Sequence, residues 1–147
     1  MTEPTGPSLP VSRAEGRQLC GLLVLALTDG TPVGTGALAE RLTLSGATVT
    51  ETVKRFDDEG LVSYEPYVGA ELTPRGEAVA RRLLWRRCVV QAFFEATAGV
   101  SLDPTTAYRI GRAVSVDTLS RLDERLTRPC TDRCEASDRA ECDRLTG

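Results

Sequence analysis

Three thiols stand within 13 residues near the end of the chain: Cys130, Cys134 and Cys142, spaced C-x3-C-x7-C in RPCTDRCEASDRAEC. Thiolates bind soft and borderline metals, so the cluster reads as a seat for a zinc or iron ion or an iron–sulfur cluster. Both kinds of centre usually take four ligands. The fourth would be Cys20, Cys88, a carboxylate or a residue of another subunit, and the spacing matches no standard zinc pattern. Asp132, Glu135, Asp138, Glu141 and Asp143 surround these thiols with negative charge, which raises a thiol pKa and attracts cations. Cys88 differs, because Arg86 and Arg87 adjoin it; an exposed thiol there would favour the thiolate and a redox switch. The third reading is that the cysteines sense nothing. Cys20 lies in an apolar run and is expected to pack as a small hydrophobe.

The chain has no histidine, which removes Ser-His-Asp and Cys-His catalysis and every histidine-ligated metal site. There is no Gly-rich phosphate loop, and Asp57, Asp58 and Glu59 read as a solvated helix end rather than a catalytic pair. The expectation is a protein that is not an enzyme. Its 147 residues suffice for one domain with a real core. A formal charge of -3 argues against indiscriminate coating of nucleic acid. No apolar run approaches the ~20 residues that span a bilayer, and MTEPTGPSLP lacks the plan of a secretory signal, so the cytoplasm is expected, with no membrane partner.

The elements that position these groups follow from periodicity and caps. Residues 1–12, with three prolines among small polar residues, read as a disordered tail. From Arg13 to Thr28, Leu19, Leu22, Leu23, Ala26 and Leu27 form the stripe of an amphipathic helix. Thr35 is expected to cap a short helix from Gly36 to Leu42, and LTLSG a tight turn before a helix over Ala47 to Glu59 whose inner face is Val49, Thr52, Val53 and Phe56. Gly60 ends it, and LVSYEPYVGAELT reads as a hairpin. Thr73 and Pro74 open a long helix to Ala98, with the stripe Val79, Leu83, Val90 and Phe94. Gly99 breaks it, and Asp103 with Pro104 opens a helical region to about Leu126. Residues 127–147 carry no apolar stripe, and ordering them would need something other than a core.

Helix, short helix, turn, helix and hairpin in this order make a winged helix-turn-helix with a two-stranded wing, in a mainly α protein. The boundaries are a disordered tail over 1–12, a DNA-binding domain over 13–74, a helical dimerisation region over 75–126 and a Cys-rich tail over 127–147. The third helix of such a unit enters the major groove, where small polar residues permit close approach to base edges. Ser45, Ala47, Thr48, Thr50, Glu51 and Arg55 fit there, with Tyr67 at the hairpin tip against the backbone. The segment 31–60 is acidic on balance, and Arg75, Arg81, Arg82, Arg86 and Arg87 would offset this if they lie beside the wing. The alternative is a winged-helix scaffold for protein interaction without specific DNA binding.

The stretches GALAERLTLSGATVTETVKRFDDEGLV and ELTPRGEAVARRLL resemble the DNA-binding domain of the DtxR-type repressors, the iron and manganese regulators. The shared motifs are an A-E-R-L-x-x-S-x-x-T-V run followed by G-L-V and T-P-x-G. The resemblance implies a homodimer on a palindromic operator, with affinity controlled by a metal ion. It also implies metal ligands on the first, fourth and fifth helices, where this chain has Gln18, Arg87, Gln91 and the neighbourhood of Tyr108 to Arg112. These are not ligands for Fe(II) or Mn(II). The usual His/carboxylate site is therefore expected to be lost and sensing moved to the cysteine tail, with Cys88, as a metal, iron–sulfur or redox site that orders the tail and respaces the recognition helices. A minor alternative has Arg87 supplying permanently the charge that a metal would bring.

Overall fold

Five of the six helices among the described residues begin where a small polar side chain accepts from an N–H of the first turn. In a computed structural model of the chain, residues 9–127, 130, 133–137 and 142 are described. Helix α1 (Arg13–Asp29) is capped by Ser12, whose hydroxyl accepts from the Glu15 N–H while the Glu15 carboxylate accepts from the Ser12 N–H. Helix α2 (Thr35–Leu42) has Gly34 at its cap with no side-chain bond, so the expected capping by Thr35 does not form. Thr43, in the left-handed region, turns the chain into α3 (Gly46–Asp58), capped by Ser45. Strands β1 (Val62–Glu65) and β2 (Gly69–Leu72) pair antiparallel, with Val62 opposite Leu72 and Glu65 opposite Gly69. Thr73 and Pro74 start α4 (Pro74–Ala98), and Gly99, left-handed, ends it.

The expected single helical region to Leu126 is two helices, α5 (Pro104–Ala113) and α6 (Val116–Glu124). The break is local: Val114 turns to extended backbone, and the Ser115 hydroxyl accepts from the Thr118 N–H, starting a new helix.

The wing is wider than the hairpin pattern. Val33, in the loop after α1, exchanges both backbone hydrogen bonds with Ala70, at 2.9 and 2.8 Å. A Cβ at Gly69 would stand 2.6 Å from the Val33 carbonyl oxygen, so only glycine admits this bridge.

Two apolar clusters share α4. The first joins α1, α2, the inner face of α3, the wing and the first half of α4, with Phe56, Leu19, Leu38 and Val49 fully buried. The second sets Trp85, Val89 and Val90 against Ala107 and Leu119. Between them α4 is buried on every side from Leu83 to Ala92, not along one stripe, and that run includes Arg86, Arg87 and Gln91.

The flanks depart from expectation as well. Val11 is buried, and its carbonyl accepts from Arg112. Residues 1–8 of the expected tail lie outside the described residues. Cys134 and Ala136 are buried in the first cluster, held by Arg81, whose guanidinium donates to both of their carbonyls while its own carbonyl accepts from the Cys134 N–H. Part of the Cys-rich segment thus belongs to the core that it was expected to lack.

Candidate nucleic-acid interface and an arginine-lined cavity

Helix α3 separates its residues by face. Val49, Thr52, Val53 and Phe56 are buried, and the Thr52 hydroxyl accepts from Gln18 Nε2 at 3.2 Å. Ala47, Thr48, Glu51, Lys54 and Arg55 are exposed, and Thr50 is half-buried. Ser45 is exposed too, but its hydroxyl is committed to the cap: it accepts from the Thr48 N–H and donates to Thr48 Oγ1 at 2.8 Å. Thr48 Oγ1 accepts in that bond, so its own proton remains to donate outward.

Arg55 pairs with Glu15 of α1, clamping the two helices together. The Glu15 carboxyl lies below its ordinary range, first through the Ser12 N–H and then, against some desolvation, through Arg55. Tyr67, at the wing tip, is fully exposed in a left-handed conformation, with Val68 exposed beside it.

The arginines expected to offset the acidic face are mostly engaged elsewhere. Arg75 lies at the end of α3 near the wing, donating to the Glu59 carbonyl at 2.6 Å. Arg81 pairs with Glu77 and holds the Cys134 segment. Arg86 donates to the carbonyls of Gly111 and Val114, fastening α5 to α4. Arg82 is half-buried, and Arg87 is buried.

The three tail cysteines lie near enough for Cys130 and Cys142 to act electrostatically on the Cys134 thiol, but they pack against different apolar clusters. Cys134 is buried in the first cluster with Cys142 packed against it, whereas Cys130 packs against the second. Among the described residues no group of three Cys, Asp or Glu side chains is placed to hold a metal ion. The Cys134 thiol is pushed up chiefly by burial, not by the acidic neighbours invoked from sequence; Asp132, Asp138, Glu141 and Asp143 lie outside the described residues. Cys88 is buried, so the exposed thiol that a redox switch required is not there. Cys20 is buried as expected, and burial raises its thiol. In the native protein at neutral pH, Cys20, Cys88 and Cys134 should therefore react with a thiol reagent far more slowly than Cys130 and Cys142. A timed alkylation read by mass spectrometry checks this, and equal rates at all five sites would contradict it.

Sequence reasoning missed a cavity of about 280 Å³ among α1, α2, α4 and α5, whose lining includes Arg17, Cys20, Arg41, Arg87, Thr105 and Tyr108. Arg17 donates to the Leu42 carbonyl at 3.1 Å and to the Thr105 hydroxyl at 3.4 Å. The Arg41 pKa is lowered by burial and then by the like charge of Arg87. The Tyr108 hydroxyl donates to the Arg13 carbonyl and accepts from Arg112.

A family model described as the iron dependent repressor N-terminal DNA-binding domain matches residues 24–70. The chain is 38% identical over 56 residues to the HTH-type transcriptional regulator MntR of Lysinibacillus sphaericus, a match covering 38% of this chain and 40% of that protein. It is 33% identical over 95 residues to an uncharacterized HTH-type transcriptional regulator of Methanocaldococcus jannaschii, covering 62% of this chain and 74% of the relative. Among solved structures, T. acidophilum IdeR superposes with a TM-score of 0.70 at 18% identity, covering 87% of this chain and 58% of the other. The chain thus spans less than half of the MntR relative and most of the archaeal one.

The resemblance sets Gln18, Arg87, Gln91 and the Tyr108–Arg112 turn where such repressors hold metal. Gln18 Nε2 serves Thr52 and Gln91 Nε2 donates to the Leu102 carbonyl, while the two amide oxygens are buried without a hydrogen-bond partner. Two neutral amides, a guanidinium and a phenol do not fit a divalent cation that prefers carboxylate and imidazole. The fold and the matched DNA-binding segment are nevertheless those of transcriptional repressors, and the chain belongs to the DtxR-type iron-dependent repressor family.

Proposed function

We propose that the chain is a cytoplasmic, sequence-specific DNA-binding regulator that works as a homodimer on a palindromic operator. The observation that carries this reading is the outward face of α3, small and polar at Ala47, Thr48 and Glu51, all exposed, together with an exposed wing tip at Tyr67. Thr48 donates to a base-edge acceptor, Glu51 accepts from a cytosine amino group, and Thr50 and the Ser45 turn approach the backbone. Lys54, Arg75 and whatever share of Arg55 its pairing with Glu15 leaves supply the phosphate contacts.

Residues 13–74 form the reading unit, and helices within 75–126 supply the dimer contact. A dimer presents two copies of α3 to successive major grooves, about 34 Å apart. With acidic residues crowding the end of α3, phosphate contacts are few and the dependence on salt is shallow. No helix among the described residues is long and apolar enough to cross a membrane.

The test is fluorescence anisotropy on the protein's own promoter and on scrambled DNA of equal length, across a salt series. Preferential binding to the promoter with a small salt slope is expected. Equal, weak binding to both at low salt would replace this reading with the protein-interaction scaffold.

A further inference from the structure

We infer that Glu15 is a latch that competes with DNA phosphate for Arg55, so that a carboxylate on α1 sets how tightly α3 engages a duplex. The inference rests on the DNA-binding reading above. Over residues 43–74, which make the turn, α3 and the wing, Lys54 and Arg55 are the only basic residues, against six acidic ones. Arg55 is thus half of the positive charge that this stretch can bring to phosphate. It stands seven residues after Thr48, two helical turns along the same exposed face. Its guanidinium nevertheless turns away from that face, to Glu15 of α1.

The two partners are unequal. Glu15 is fixed, because its carboxylate accepts from the Ser12 N–H at 3.1 Å in the capping box. That end of α1 is held in turn by α5: Arg112 donates to the carbonyls of Val11 and Ser12, and the Tyr108 hydroxyl to that of Arg13. With its carboxyl below the ordinary range, Glu15 is ionised at neutral pH. The Arg55 side chain is 47% exposed against 21% for Glu15. Its rotatable stem can carry the guanidinium from α1 to the duplex, and the carboxylate cannot follow.

Exposed ion pairs are weak enough to be exchanged, and a charge-assisted bond to phosphate is a fitting replacement. The exchange breaks the pair and strands a negative charge close to the helix that meets the duplex. Affinity is then lower, and its salt dependence shallower, than two free basic residues on α3 would give. Were Glu15 instead to aim Arg55 at a phosphate, neutralising it would weaken binding.

The experiment compares the full chain with Glu15→Gln, Arg55→Gln and the double variant, by anisotropy on promoter and scrambled DNA across a salt series, with thermal unfolding alongside. Glutamine at this position still completes a capping box, so Glu15→Gln removes the charge and keeps the helix start. Its Tm should stay within about 2 °C of the parent's. Glu15→Gln should tighten binding to both DNAs alike, by about two- to fivefold at about 0.1 M salt. The slope of log K against log salt should steepen by about 0.9, the share of one phosphate contact. Arg55→Gln alone should weaken binding by less than about twofold, and in the double variant the gain from Glu15→Gln should vanish. Glu124→Gln, exposed on α6, changes the net charge equally and should leave affinity unchanged.

Weaker or unchanged binding by Glu15→Gln overturns the latch. So does a gain that survives in the double variant or that Glu124→Gln matches. These failures leave the unmodified chain's preference for promoter over scrambled DNA in place, whereas equal, weak binding of both DNAs by that chain overturns the DNA reading and the latch with it.

Discussion

Thr48→Asp should lower affinity for operator DNA by about 5- to 150-fold while leaving the folded protein at least as stable. Thr48 is the third residue of α3, exposed, with its N–H already capped by Ser45. A carboxylate in the first turn complements the helix dipole, a gain of about 0.3–1 kcal/mol. On DNA the same carboxylate loses the outward hydroxyl donor and confronts phosphate, and a good base contact is worth about 1–3 kcal/mol. Binding and stability should therefore move in opposite directions, which separates a role at the interface from simple misfolding. Anisotropy and thermal unfolding on one preparation give both numbers. Undiminished operator affinity would show that α3 does not face the duplex.

Gly76→Ala should destabilise the protein by about 3 kcal/mol, at the upper end of what overpacking usually costs. A Cβ on Gly76 would come within 1.8 Å of the Leu61 carbonyl oxygen. That carbonyl cannot retreat, because it accepts from the Thr73 N–H at 3.0 Å, the bond that joins the end of the wing to the start of α4. Relief requires α4 to shift against Leu61, which is fully buried. The contrast is Gly36→Ala in α2, where nothing lies within 4 Å of the added Cβ and helix propensity alone predicts a gain of about 0.5–1 kcal/mol. Urea denaturation of both variants tests the pair. Comparable stabilities would mean that the junction between wing and α4 is not packed as described.

The elements were legible where their cause is local. The Ser45 cap, the Thr73–Pro74 start and the glycines at 60 and 99 act within one turn of chain, and the helices begin and end at them within a residue or two. The inner face of α3 was equally readable, since Val49, Thr52, Val53 and Phe56 recur at helical spacing and all four are buried. Two local signals were present but passed over. Ser12 with Glu15 spells a capping box, and Ser115 followed by Thr118 marks the start of α6 inside what read as an undivided helical region.

Where the thiols pack was not legible from their spacing. Spacing along the chain says only that three sulfur atoms can meet, not that the backbone between them bends to let them. Here Cys134 is buried in the first apolar cluster and Cys130 packs against the second, while Cys130 and Cys142 still act electrostatically on the Cys134 thiol.

From its sequence alone this protein is a winged helix-turn-helix of the DtxR type, because caps, turns and a period-3.6 apolar pattern depend on neighbours a few residues apart. Only the tertiary structure decided which arginines fasten helices together and which line a cavity. Arg86 disappears into the joint between α4 and α5, while Arg17, Arg41 and Arg87, up to 70 positions apart, surround one cavity. A charge acts through space at a distance set by the packing of whole helices, and no pattern in the order of residues records that distance.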